Sequence, residues 1–171
     1  MIARVLIVAY GNPLRCDDGI AWRAADELER KFPDLEIRRL HQLAPEVAES
    51  VRHRDLVVFI DAACVERGRP GDVRVREVSG QEILQRPAAH FTHTCSPVRV
   101  LELARELYKA HPKTFVITVA GENFGHGDCL SEPVAAALPE LIARIERLVE
   151  DSKANARTTK RTRRPRSGQA S

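Results

Sequence analysis

The chain has 171 residues, 43% hydrophobic and 30% charged, proportions that fit one globular domain with a real core and exclude a disordered or fibrous protein. Its formal charge of +3 is uneven: from Asp151 onward seven Lys or Arg accompany one acidic residue, leaving 20 basic and 23 acidic before it, so a body near −3 precedes a tail of +6. That distribution argues against a nucleic-acid-binding body, and no stretch approaches the roughly 20 apolar residues that span a bilayer.

The first apolar run, Ala3 to Ala9, is followed by Gly, Asn and Pro and carries no small-residue cleavage site. It therefore reads as a first strand, not a signal peptide, and a cytoplasmic location is expected. A helical pattern follows through Trp22, Ala25, Leu28 and Phe32, then a short strand from Leu35 to Leu40 and a short helix from Pro45 to Val51. The run Leu56 to Ile60 (LVVFI) has the unbroken apolar character of a central parallel strand, and Asp61 is expected just where it ends. Asp72 to Val78 alternates Val with charged residues, as an edge or antiparallel strand does.

A loop containing Pro87, His90 and His93 leads to a helix whose start is well marked: Ser96 as N-cap, Pro97 at the first helical position, then Val100, Leu101, Ala104 and Leu107 on one face. Thr114 to Val119 is the last strand, a Gly-rich loop (AGENFGHGD) follows, and Val134, Leu138, Leu141, Ile142, Ile145 and Leu148 define the closing helix. The alternation predicts an α/β fold, a three-layer α/β/α sandwich on a mostly parallel sheet of about five strands. Residues 1–150 form this domain. The remaining 151–171, rich in Ser, Thr, Ala and Arg without apolar periodicity, are expected to be a disordered basic tail, either a solubility aid or an electrostatic handle for an acidic partner or RNA.

In an open parallel sheet, loops at the carboxyl ends of the strands form the binding crevice. Asp17 and Asp18 follow the first strand, Asp61 the central one, and the 121–128 loop the last, so these loops should meet. With an imidazole from His93, His90 or His41, two carboxylates would suit a divalent first-row metal with open positions. The residues alone equally allow Asp18 and Asp61 to be caps or loop acceptors. Nucleotide binding is disfavoured, because neither G-x-G-x-x-G nor G-x-x-x-x-G-K-[ST] is present and adjacent aspartates repel phosphate. Four cysteines (Cys16, Cys64, Cys95, Cys129) without a C-x-x-C pair are expected as reduced thiols. Three of them lie within three residues of Asp18, Asp61 or His93, which raises the alternatives of loop packing or a peripheral thiol set that holds a metal ion.

The string GNPLRCDDGIA (Gly11 to Ala21), directly after the first strand, closely resembles the G-N-x-L-x-x-D-D/E-G-x-G signature of the hydrogenase maturation proteases. The resemblance continues through VVFIDAA, THTCSP and LSEPV in the same order, and departs at Ala21, where the family usually has Gly. It implies an endopeptidase that removes the C-terminal peptide of the [NiFe] hydrogenase large-subunit precursor. Its metal positions would be Asp18, Asp61 and His93, docking onto nickel carried by that substrate, with Asp17 or Asp18 as the catalytic carboxylate. Asp17 has an equally strong structural reading, as acceptor of backbone N–H groups in its loop. A monomer is expected, and a non-catalytic nickel-binding maturation chaperone is the alternative function.

Overall fold

The computed structural model describes residues 3–64, 68–80 and 95–162. Five strands form one sheet in the order β2-β1-β3-β5-β4, with β1 Val5–Tyr10, β2 Glu36–Leu40, β3 Leu56–Cys64, β4 Val73–Glu77 and β5 Lys113–Gly121. Every pairing is parallel except that of β4, which runs antiparallel to β5 at the edge. Val73 is partly covered while Arg74 to Glu77 are exposed, as fits an edge strand with charged residues between its valines.

The helices are α1 Ile20–Lys31, α2 Val47–Val51, α3 Pro97–Tyr108 and a closing helix, α4, Glu132–Thr162. Because side chains alternate across a strand, the central strands feed two cores at once. Ile7, Ala9, Val58, Ile60, Ile117 and Val119 pack with α1 and α4, while Leu6, Val8, Val57, Phe59 and Val116 pack with α2 and α3. Leu6, Ile7, Phe59 and Ile60 are completely buried. Burying such a side chain contributes about 1.5–3 kcal/mol, and burial on both faces is why β1 and the Leu56–Ile60 part of β3 are apolar without interruption. The three-layer α/β/α sandwich read from the sequence is therefore the observed fold.

Helix α3 starts as its sequence dictates. Ser96 is extended, its Oγ accepts the Arg99 backbone N–H at 3.2 Å, and Pro97 occupies the first position, where no N–H is required. Its end is also explicit: Lys109 adopts a left-handed conformation (φ 53°), and the N–H groups of Lys109 and Ala110 close on the carbonyls of Arg105 and Ala104.

Two boundaries differ from the sequence reading. Strand β3 does not end at Ile60 but continues to Cys64, because β5 is equally long and pairs with it through Cys64↔Gly121. Asp61 thus lies within the strand, opposite Thr118. Helix α4 does not stop near Glu150; it runs to Thr162, so 151–162 are helical, not disordered. A helix already nucleated gains one backbone hydrogen bond per added residue. Ala156 packs on the first core, and the Lys153 ammonium sits 5.3 Å from the Phe32 ring centroid. Residues 163–171 lie outside the described residues. No helix among the described residues is long and apolar enough to cross a membrane.

Candidate functional site

From β1 the chain passes outward to β2 on one side and then returns to β3 on the other. The topology reverses between β1 and β3, and the carboxyl ends of the strands at such a reversal are where open α/β sheets form their ligand crevice. The last β1–β3 pair is Ala9↔Ile60; Tyr10 and Asp61 are the next residues on each strand and line the start of that crevice.

The segment from Gly11 to Gly19 folds back over this edge. Asn12 organises it: its Oδ1 accepts the Leu14 N–H at 2.9 Å, its carbonyl accepts the Arg15 N–H, and its own N–H donates to Asp18 Oδ2 at 2.8 Å. Gly11 has φ 136°, and a side chain there would collide with the Asp18 carbonyl oxygen, so only glycine lets the turn close against Asp18. Gly19 sits against Pro13, where an added Cβ would lie 3.1 Å from the Pro13 Cα. Ala21, at the family's usual glycine, is fully buried in the first core, which accommodates the methyl.

The two adjacent aspartates have different tasks. Asp17 is fully buried. Its Oδ2 accepts from the backbone N–H groups of Glu122 and Asn123 at 2.8 Å and from the Ser131 hydroxyl at 2.9 Å, and its Oδ1 accepts the Ser131 N–H at 2.7 Å. Burial alone would raise its pKa, but the donors from Asn123, Ser131 and Glu122 prevail and hold it below the ordinary carboxylate value. Of the two roles read from the sequence, this geometry supports the structural one: Asp17 ties the Gly11–Gly19 segment to the start of α4 and to the loop after β5. An added Cβ on Gly121 would meet both Phe124 and the Asp17 Cβ, so that loop can approach only as glycine.

Asp18 is half-buried and commits one oxygen, Oδ2, to the Asn12 N–H. Asp61, also half-buried, has its pKa pushed up to about 6, by burial first and by the nearby Asp18 charge, against the lowering effect of hydrogen bonds from the Tyr10 hydroxyl and the Ala62 N–H. The same contact, after burial, raises the Tyr10 pKa. Two carboxylates that repel each other at one sheet edge are a natural receptor for a divalent cation, whose charge removes the repulsion and whose preference for oxygen donors they meet.

The third expected ligand, His93, lies outside the described residues, as does its competitor His90. His41 is exposed at the end of β2, its ring 5.3 Å from that of Trp22, at the same sheet edge. Among the described residues no three His, Cys, Asp or Glu side chains gather as a metal cluster; Asp18 and Asp61 are the two of the expected ligands that the described residues place near each other. Nor do Cys16, Cys64 and Cys95 assemble a peripheral thiol set. Cys16 is buried against Cys129, Cys64 is exposed at the end of β3, and Cys95 packs at the edge of the second core.

Tyr10 was not singled out by sequence patterns. Its signal was the strand register: once β1 and β3 are parallel with Ala9 beside Ile60, the following tyrosine falls beside the aspartate.

No protein-family model and no curated protein matches the chain. Solved structures do. The [NiFe] hydrogenase maturation protease HybD from Thermococcus kodakarensis superimposes with a TM-score of 0.68 at 25% identity, over 85% of this chain and 99% of that one. The hydrogenase maturating endopeptidase HybD from E. coli gives 0.67 at 21% identity, over 87% of this chain and 93% of that one. The hydrogenase 2 maturation peptidase from Thaumarchaeota archaeon SCGC_AB-539-E09 gives 0.64 at 23% identity, over 85% and 97%. With near-complete coverage of these structures, the chain shares the fold of the hydrogenase maturation proteases, and its Gly11–Ala21 motif is folded around Asp18 at the topological switch of that fold.

Proposed function

We propose that this protein is an endopeptidase of [NiFe] hydrogenase maturation, which removes the C-terminal peptide from the nickel-loaded large-subunit precursor. The observation that carries the reading is the pairing of Asp18 with Asp61 at the β1/β3 crevice, on the motif that resembles the family signature. Asp18, Asp61 and His93 are the residues that would meet the precursor's nickel, which acts as a Lewis acid and recognition element of the substrate.

What this chain's residues contribute follows from their surroundings. The Tyr10 hydroxyl and the Ala62 N–H orient the Asp61 carboxylate. The Asn12 N–H fixes Asp18 through Oδ2, leaving Oδ1 to face a ligand or to take a proton from an attacking water. A pKa near 6 at Asp61 is also in the range where a carboxylate both ionises at neutral pH and retains basicity. Asp17 acts indirectly, by holding the loops in register. A precursor without nickel leaves the mutual repulsion of Asp18 and Asp61 unrelieved and binds poorly, which turns cleavage into a check on metal insertion.

The test is to incubate the purified protein with nickel-loaded and nickel-free precursor and to look for a shortened product by mass spectrometry. Cleavage is expected only of the loaded form, and its loss is expected in Asp18→Ala and Asp61→Ala variants. Tight precursor binding by folded protein with no shortened product would replace this reading with that of a non-catalytic nickel-binding chaperone.

A further inference from the structure

Two thiols that the proposed chemistry does not use face each other across the loops that build the site. Cys16 has a left-handed backbone (φ 45°) and a side chain only 3% exposed. Its N–H donates to the Gly127 carbonyl at 2.8 Å, and the Gly127 N–H donates to the Leu14 carbonyl at 3.0 Å, so a short bridge runs beside it between Arg15 and Gly127. Cys129 is two residues past Gly127 and is exposed. A Cβ placed on Gly127 would lie 3.0 Å from Cys16 Sγ and 3.9 Å from Cys129 Sγ, so both sulfurs border the same point in space, and after burial it is the neighbouring Cys129 that raises the Cys16 pKa. Only glycine at 127, with φ 151°, leaves that point empty.

We propose that Cys16 and Cys129 form a reversible disulfide when the protein meets a low-molecular-weight disulfide, and that this bond locks the Gly11–Gly19 segment to the segment leading into α4. The exposed sulfur of Cys129 displaces one thiol from the small disulfide and becomes a mixed disulfide. The Cys16 sulfur then attacks the Cys129 sulfur, the protein S–S bond forms, and the second small thiol leaves. Each cysteine gives up its proton, and the two electrons reduce the small disulfide to two thiols. The order follows from exposure, since Cys129 is open to a bulky reagent and Cys16 is reached only from inside the protein. Neither Cys64 nor Cys95 has such a partner among the described residues. The bond closes a ring containing every element from α1 to β5 and restrains the loop whose N–H groups hold Asp17. None of this depends on peptide cleavage.

The full-length protein is treated with oxidised glutathione, digested without reduction and mapped by mass spectrometry, and its thermal unfolding is followed in parallel. The expected result is a linked pair of peptides carrying Cys16 and Cys129, with a rise of melting temperature that dithiothreitol reverses. Cys129→Ser should show neither, and Cys16→Ser should stop at a glutathione adduct on Cys129. A stable adduct on wild-type Cys129, or a link through Cys64 or Cys95 instead, would overturn the proposal.

Discussion

Replacing Asp17 separates a structural tie from a catalytic base. Its carboxylate receives four hydrogen bonds, from the N–H groups of Glu122, Asn123 and Ser131 and from the Ser131 hydroxyl. Hydrogen bonds to a charged partner contribute about 1.5–3 kcal/mol each, but the gross sum is reduced by the cost of burying the carboxylate and by water that enters after its removal. Asp17→Ala strands all four neutral donors and should cost about 3–5 kcal/mol, since each buried donor left unsatisfied costs about 1–3 kcal/mol and entering water recovers part of the total. Asp17→Asn keeps the shape, but its amide nitrogen turns a donor toward a donor, so about 2–3 kcal/mol is expected. Domains of this kind have only about 5–15 kcal/mol in total, so both variants should show a clear shift in urea unfolding at constant slope. Hydrogen exchange at the amides of Glu122, Asn123 and Ser131 should accelerate locally. The pH dependence has a definite sign. A pKa held below the unfolded value of about 3.9 means that the stabilisation is complete above that pH and is lost as pH falls through the folded value. Asp17→Asn should therefore flatten that part of the acid limb. If Asp17→Asn unfolds within about 0.5 kcal/mol of wild type while precursor cleavage is abolished, the structural assignment is wrong and Asp17 belongs to the chemistry.

Asp61→Asn removes the repulsion with Asp18 but can still accept from Tyr10, so it should stabilise the metal-free protein by about 1 kcal/mol at pH 8 and give no gain at pH 4; urea midpoints at the two pH values check this. Tyr10→Phe deletes a donor to Asp61 and should move the titration of that carboxylate upward from about 6, read by carbon-detected NMR. Gly11→Ala introduces a methyl against the Asp18 carbonyl at a positive φ, and should cost at least about 1–3 kcal/mol and weaken precursor binding together. Ser96→Ala removes the cap of α3 and should cost about 1 kcal/mol with cleavage unchanged.

Much of the fold was legible in the sequence because the deciding forces are local or periodic. Leu56 to Ile60 is apolar at every position because both faces of β3 are covered, and Ser96-Pro97 can start a helix without help from distant residues. The misplaced boundaries have the opposite origin. The extension of β3 to Cys64 exists because β5 offers backbone partners as far as Gly121, a non-local fact. The helical 151–162 segment is polar and nearly aperiodic, and what marks it in three dimensions is contact with Phe32 and the first core.

The same division runs through the site and explains why the adjacent aspartates could not be told apart in the chain. Asp17 and Asp18 share a motif and differ only in what surrounds them. A short turn of 3-10 helix, Cys16–Gly19, separates them by one residue's rotation, enough to send one carboxylate inward to three backbone N–H groups from the far end of the chain and the other to the Asn12 N–H at the crevice. The donors to Asp17 lie 105 to 114 residues away, beyond any local pattern. A saturated inner carboxylate makes the outer one useful: with Asp17 fixing both loops, Asp18 can keep one oxygen free beside Asp61 without the loop collapsing to satisfy it. Under the proposed function the D-D pair is a division of labour between anchor and reagent, and mutation of either should be read with the other's geometry in view.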